Sequence, residues 1–203
     1  MGALEEATKR EEPDFLVRAK QSTSMRVKKN VSSAVATSHT GKDVIRKFVG
    51  KKALATIDIV KDLITLHEDK KKATEIENNI IKIAVKVILL FQNKDLSEKN
   101  LTDLVPKVES LWVSVLNYSQ MPFTYDAITI KTSAEDMIDS MTTQLAPFLS
   151  EKNISLLRET AVYLQQKELL DLLFEKEEQE PMRKDLARIL NNDWAKSRFI
   201  TNK

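Results

Sequence analysis

Residues 73–91, ATEIENNIIKIAVKVILLF, carry apolar side chains around most of the circumference of any regular element they form. The polar residues Glu75, Asn79, Lys82 and Lys86 recur at spacings of four, three and four, which is one narrow line on a 3.6-residue helix. The β-branched content suits a strand, but a line kept over three turns predicts a helix. A helix apolar on nearly every side belongs at the centre of a bundle. Its lysines then need an outlet. Either Lys82 and Lys86 snorkel to water along an exposed strip, or they edge an internal cavity that holds an anionic headgroup.

The flanking segments repeat the helical period. Residues 42–56, KDVIRKFVGKKALAT, set Val44, Ile45, Phe48, Val49 and Leu54 among Lys42, Arg46, Lys47, Lys51 and Lys52. That is a basic amphipathic helix, weakened at Gly50 by roughly 1 kcal/mol relative to Ala. It can lie on an anionic membrane or dock onto its own domain. Ile57–Leu66 continues a helical face. After a polar connection with Ser97 as a candidate cap, Leu101, Leu104, Val108, Leu111, Trp112 and Val115 predict a further helix, with Pro106 in its first turn if Asp103 caps it. Pro122 closes a turn, and Ile130, Ala134, Met137, Met141 and Leu145 outline the next helix, ending near Pro147. Shorter helices follow at 154–164 and 169–174, then an acidic loop over 175–180 and a last helix opened by Pro181. About seven helices with short connections predict an all-α bundle. The domain reading is a polar tail over 1–41, a helical domain over 42–196 and a frayed end over 197–203.

Composition narrows this picture. Three glycines are too few for the tight turns of a β-sandwich or for a Gly-rich nucleotide-binding loop. The absence of cysteine excludes disulfides and thiolate chemistry, and His39 and His67 are too isolated for a zinc site, so no metal or other cofactor is expected. No apolar run is long enough to span a bilayer, the N-terminus lacks a signal-peptide core, and Glu6 stands where the myristoylation pattern wants Ser or Thr. The expected location is cytoplasmic. Net charge is +2, but residues 1–52 carry twelve basic and six acidic side chains, so positive charge is concentrated N-terminally and attracts anionic surfaces. Only Phe15 and Phe48 offer aromatic stacking near it, so nucleic acid is not the expected partner. No hydrolase, phosphate-loop or metalloprotease motif occurs, and the carboxylate pair Glu135 and Asp139 lacks the Glu-x-x-His partners of a di-iron bundle. No enzymatic activity is expected.

Three stretches carry a family resemblance: KKALATI with IVKDLI, then DKKKATEIENNIIKIAVKVILLFQNKDL, then SQMPFTYD. In their order and spacing, the segment from Val49 to about Leu190 resembles the tumour necrosis factor alpha-induced protein 8 (TIPE) family. The resemblance implies a six-helix bundle topologically like a mirror-image death-effector domain, built around an apolar tunnel and preceded by a basic amphipathic helix. It implies binding of phosphoinositides or other anionic phospholipids, with acyl chains in the tunnel and headgroups at a basic mouth. Lipid transfer, reversible association with the inner leaflet of the plasma membrane, and regulation of small-GTPase and cell-death signalling go with it.

Carried over position by position, Lys42 and Lys47 match basic residues of the extra helix, Lys82 and Lys86 match the Ile-Lys-x-Ala-x-Lys lysines, and Lys107 matches one on the third helix. Arg46, Lys51, Lys52 and Lys94 complete the candidate headgroup set, and Val87, Leu90, Leu111, Val115, Met137, Met141 and Leu170 are candidate cavity lining. The chain departs from the family pattern at Gln92, where relatives have an arginine, at Asp43 in the extra helix, and at Pro106. A phosphoinositide-binding transfer protein is one reading. A helical signalling adaptor that binds proteins without lipid is the other.

Overall fold

The computed structural model describes residues 38–96 and 102–200, and the surroundings of side chains over 40–96 and 102–191. The predicted cap Ser97 and nearly all of the predicted tail 1–41 lie outside the described residues. Eight α-helices and no strand occur among those described: α1 Ser38–Phe48, α2 Lys51–His67, α3 Lys70–Gln92, α4 Val105–Gln120, α5 Ala127–Leu145, α6 Glu151–Leu164, α7 Lys167–Glu175 and α8 Glu180–Ile200. The count exceeds the sequence reading by one, because Gly50 ends a helix instead of weakening it. Gly50 has φ of 110°, a backbone region that side-chain-bearing residues avoid, and it separates α1 from α2. α1 also begins at Ser38, earlier than the periodicity alone predicted.

Local chemistry sets the other boundaries. Asp69 caps α3 by accepting from the Lys72 amide at 2.7 Å, and Asp126 caps α5 through the amides of Ile128 and Thr129. Pro106 sits in the first turn of α4 as predicted, but the cap is Leu104 and not Asp103, and no side chain bonds there. At the end of α3, Lys94 takes a left-handed conformation, φ 60°, while the amides of Asp95 and Leu96 bond back to the Leu90 carbonyl. This reversal drops Leu96 into the core. The buried guanidinium of Arg183 donates to the carbonyls of Leu173 and Lys176, closing the end of α7 from another helix.

α3 is central. Ile81, Val85 and Ile88 pack with Ile45 of α1 and Leu54 and Ile57 of α2. Ile83, Val87 and Leu90 pack with Leu145 of α5, Leu157 of α6 and Leu96. Its N-terminal end, Ala73 and Ile76, joins the largest cluster, which holds Leu63, Ile64, Tyr163, Leu169, Leu173, Phe174, Leu186 and Leu190. Around that cluster Tyr118, Tyr125 and Phe174 form an aromatic group, with Tyr125 and Phe174 stacked at 5.0 Å. The Trp112 indole donates to the Leu190 carbonyl at 3.3 Å and ties α4 to α8.

α1 approaches α3 closely because Gly41 has no side chain. A Cβ there would stand 2.3 Å from Cγ2 of Ile81, which is itself buried. Gly41→Ala should therefore destabilise the protein by about 1–3 kcal/mol, the usual cost of overpacking. A urea midpoint equal to that of the unsubstituted protein would show that α1 does not sit this close.

Candidate functional site

α6 packs on both α3 and α5, and α5 on α4, whereas α3 and α4 share no extensive contact. Between these four helices lies a cavity of about 520 Å³. α3 contributes Ile80, Ile83, Ala84, Val87 and Ile88, and α4 contributes Leu111 and Val115. α5 adds Ile130, Ala134, Met137, Ile138 and Met141, and α6 adds Leu157, Thr160, Ala161 and Leu164. Gln165, Leu170 and, from the α1–α2 junction, Val49 complete the wall. Among the described residues no charged side chain borders the cavity. The half-buried state of Leu111 and Val115 follows: their partners across the bundle are held away from them.

The cavity has two unlike ends. α3 and α6 run antiparallel, because Tyr163 packs near Ala73 and Ile76 while Leu157 packs near Ile83. Thr160 therefore lies near the level of Ile80 and Gln165 about 7.5 Å further toward the start of α3, with Leu170 and Ile130 of the largest cluster also at this end. Val49 and Ile88 mark the opposite end, about 12 Å away along α3. That end is rimmed by exposed apolar groups: Phe48 at 45 % exposure, Val49 at 59 % and, on the same stripe of α3 as Ala84 and Val87, Phe91.

Of the seven predicted lining residues, Val87, Leu111, Val115, Met137, Met141 and Leu170 border the cavity. Leu90 does not. It turns toward α6 and packs with Leu96 and Leu145, because it projects about 60° round the helix from Val87.

The predicted basic set divides. Lys47 and Lys51 are exposed and Lys52 is half-buried, all within three residues of Val49. The ammonium of Lys47 lies 5.3 Å from the Phe48 ring, and Arg46 is exposed and bonded to Asp43 at 3.1 Å. Lys107 stands one turn before Leu111 on the cavity stripe of α4. Lys94 is exposed but held by the left-handed turn, and Gln92 is exposed beside it. Lys82 and Lys86 do not edge the cavity: Lys82 is exposed about 160° round α3 from Ile80, and Lys86 shares its strip, so the snorkelling alternative describes them.

Lys42 departs from its predicted headgroup role. Its ammonium turns inward to Glu77 Oε1 at 2.6 Å and Asp58 at 2.9 Å, and Lys61 reaches Glu77 Oε2 at 2.7 Å. Glu77 is 2 % exposed, a carboxylate at the junction of α1, α2 and α3. Local spacing carried no sign of this, since its partners come from other helices. Burial alone would raise the Glu77 pKa, but the two ammonium groups outweigh it and hold the carboxyl below its ordinary value. Burial likewise favours neutral Lys42, but Glu77 and Asp58 raise its pKa above the ordinary value.

The family model described as "Tumor necrosis factor alpha-induced protein 8-like" matches residues 18–192. The chain is similar to the protein salivary glands marred of Drosophila melanogaster, at 24% identity over 170 residues, covering 82% of this chain and 87% of the relative. It is similar to the tumor necrosis factor alpha-induced protein 8-like protein of Drosophila pseudoobscura pseudoobscura, at 22% identity over 174 residues, covering 84% and 89%. Among solved structures it resembles the C-terminal region of G-protein interacting protein 1 from Dictyostelium discoideum, with a TM-score of 0.65 and 22% identity over 73% of this chain and 93% of that one.

The Glu77 cluster gives stability a defined pH dependence. Glu77 is depressed on folding, so its contribution is complete above the unfolded value, 4.5, and is lost as pH falls through the lower folded value. Lys42 is raised, so its contribution is complete below 10.5 and is lost as pH rises through the higher folded value. Glu77→Gln should cost about 2 kcal/mol at pH 7, less than a fully buried pair because both lysines keep access to water. Urea unfolding across pH 3–8 should show the gap between variant and parent closing in acid. A gap independent of pH would remove the carboxylate from this role.

Proposed function

The chain belongs to the tumor necrosis factor alpha-induced protein 8-like family, and on that footing we propose that it binds an anionic lipid, with a fatty chain in the cavity and the headgroup outside, against the lysines around Val49. The observation that carries this reading is a 520 Å³ cavity with an apolar wall and an apolar, exposed rim. A methylene takes about the room of a water molecule, about 30 Å³, so the space suits roughly seventeen of them, one long fatty chain. Each methylene moved from water into such a wall contributes about 0.8 kcal/mol, enough to offset much of the cost of leaving a bilayer.

With no charge on the wall, a headgroup stays outside it. Lys47, Lys51 and Lys52 beside Val49, and Lys107 below Leu111, supply the positive potential there, while Phe48, Val49 and Phe91 offer apolar contact to a membrane interface. No helix among the described residues is long and apolar enough to cross a membrane. Reversible attachment at the plasma membrane, preference for phosphorylated inositol lipids, and lipid transfer in small-GTPase and cell-death signalling are the fuller form of the proposal.

A second reading, docking to a signalling protein without lipid, is favoured by the exposed pair Phe123, 87 % accessible, and Ile128, 75 % accessible, beside the start of α5. The name of the Dictyostelium protein, which speaks of interaction with a G protein, agrees with it.

Native mass spectrometry of the purified chain should show co-purified lipid. Sedimentation with vesicles bearing phosphorylated inositol lipids should exceed that with neutral vesicles and weaken at high salt. Lys47→Glu with Lys51→Glu should lower vesicle binding at least tenfold, and Val115→Trp, which fills the cavity, should remove the co-purified lipid while the helical signal stays. Lipid-free protein that ignores every vesicle sinks the lipid reading and favours the second.

A further inference from the structure

The length of the cavity and its volume give the same count of carbon atoms. It runs from Val49 and Ile88, at the exposed rim, to Gln165, at the end that abuts the largest cluster. On the helical rise this is about 12 Å from Ile88 to Ile80 and about 7.5 Å more to the level of Gln165, about 20 Å in all. An extended chain advances about 3.3–3.6 Å for every three bonds, so this length takes roughly seventeen carbons. The volume of about 520 Å³, at about 30 Å³ for each methylene, also takes roughly seventeen. A space wider than one chain would hold more carbons by volume than by length. The two counts agree, so the cavity is on average one chain wide.

From this we infer that the lipid this protein carries through water is a single-chain anionic amphiphile, a fatty acid or a monoacyl phospholipid. The inference rests on the lipid-binding reading and names its ligand class. A diacyl lipid has two chains of this size, and the second needs as much room again. Its head cannot retreat inside to draw the second chain after it, because among the described residues no charged side chain lines the wall to offset the desolvation. Outside, the rim offers that chain only Phe48, Val49 and Phe91, which are themselves on the surface. Most of its methylenes would face water, each at the full cost of apolar exposure.

The protein therefore holds a diacyl lipid only while the second chain stays in the bilayer. In that state the rim rests on the membrane, Lys47 and Lys51 meet the anionic heads, and the lipid is half lifted without being removed. The same cavity thus has two uses. Monoacyl lipids are its cargo, and diacyl lipids are its anchor.

The test incubates the full chain with phosphatidylcholine vesicles bearing phosphatidylinositol phosphate in its dihexadecanoyl or monohexadecanoyl form, or bearing hexadecanoate. Gel filtration then separates the protein from the vesicles, and native mass spectrometry reads its cargo. About one single-chain lipid per chain should leave with the protein, with at least tenfold less of the dihexadecanoyl form, and the single-chain arm retained identifies the head. In displacement of a fluorescent fatty acid, cis-parinaric acid, affinity should rise with chain length up to about seventeen carbons and gain nothing beyond. A diacyl lipid of either head found at one per vesicle-free chain overturns the inference and leaves lipid binding standing, as does protein that sediments with the vesicles but leaves them empty. Protein that carries no lipid and ignores every vesicle removes the lipid reading and this inference with it.

Discussion

A helix as apolar as α3 has to be covered on every side except its one polar strip, and the rest of the molecule is arranged by how that cover is supplied. α1 and α2 take the face of Ile81, Val85 and Ile88, and α6 takes the face of Ile83 and Leu90. The face between them, Ile80, Ala84 and Val87, is only partly covered and borders the cavity, as the edges of the neighbouring faces at Ile83 and Ile88 also do. α4, which would be the natural fourth cover, is held off by its packing on α5 and α8 and by the Trp112 bond to the Leu190 carbonyl. The space between α3 and α4 is thus a consequence of where α4 finds its own partners.

The cover from α1 is held by two unlike devices. Gly41 lets the backbones approach, and Ile45, 1 % exposed, fills the contact. Both are non-directional, and neither alone sets how far α1 lies along α3. The carboxylate of Glu77 does, because Lys42 and Lys61 must both reach it, one from each neighbouring helix. A buried ion pair contributes little net stability over a well-packed apolar substitute, but it penalises misalignment heavily. Here the alignment puts Val49 at the cavity's edge.

Much of this was legible from residue spacing, and the failures have physical reasons. The polar line Glu75, Asn79, Lys82 and Lys86 identified α3, because period alone decides which residues share a face, but left open whether that face meets water or a cavity. The same argument found α4 and α5, whereas the candidate lining residues, six of which border the cavity, came from the family resemblance, since a side chain against a cavity and one against a core must both be apolar. It could not separate Leu90 from Val87, which differ only in which neighbour stands opposite. Lys42 was read as a surface cation because its partner Glu77 lies on another helix, where local spacing has no reach.

The missing cover on α3 also bears on folding energetics. Engineered voids lose roughly 24 cal/mol for each Å³ left without packing, so a space this large forgoes up to on the order of 10 kcal/mol, as much as a domain of ordinary stability has in total. Any compound that fills it restores part of that deficit and, by mass action, raises resistance to heat and denaturant in proportion to the logarithm of its concentration. The melting temperature of this protein is therefore a property of its surroundings as well as of its sequence, and two preparations with different histories need not unfold alike.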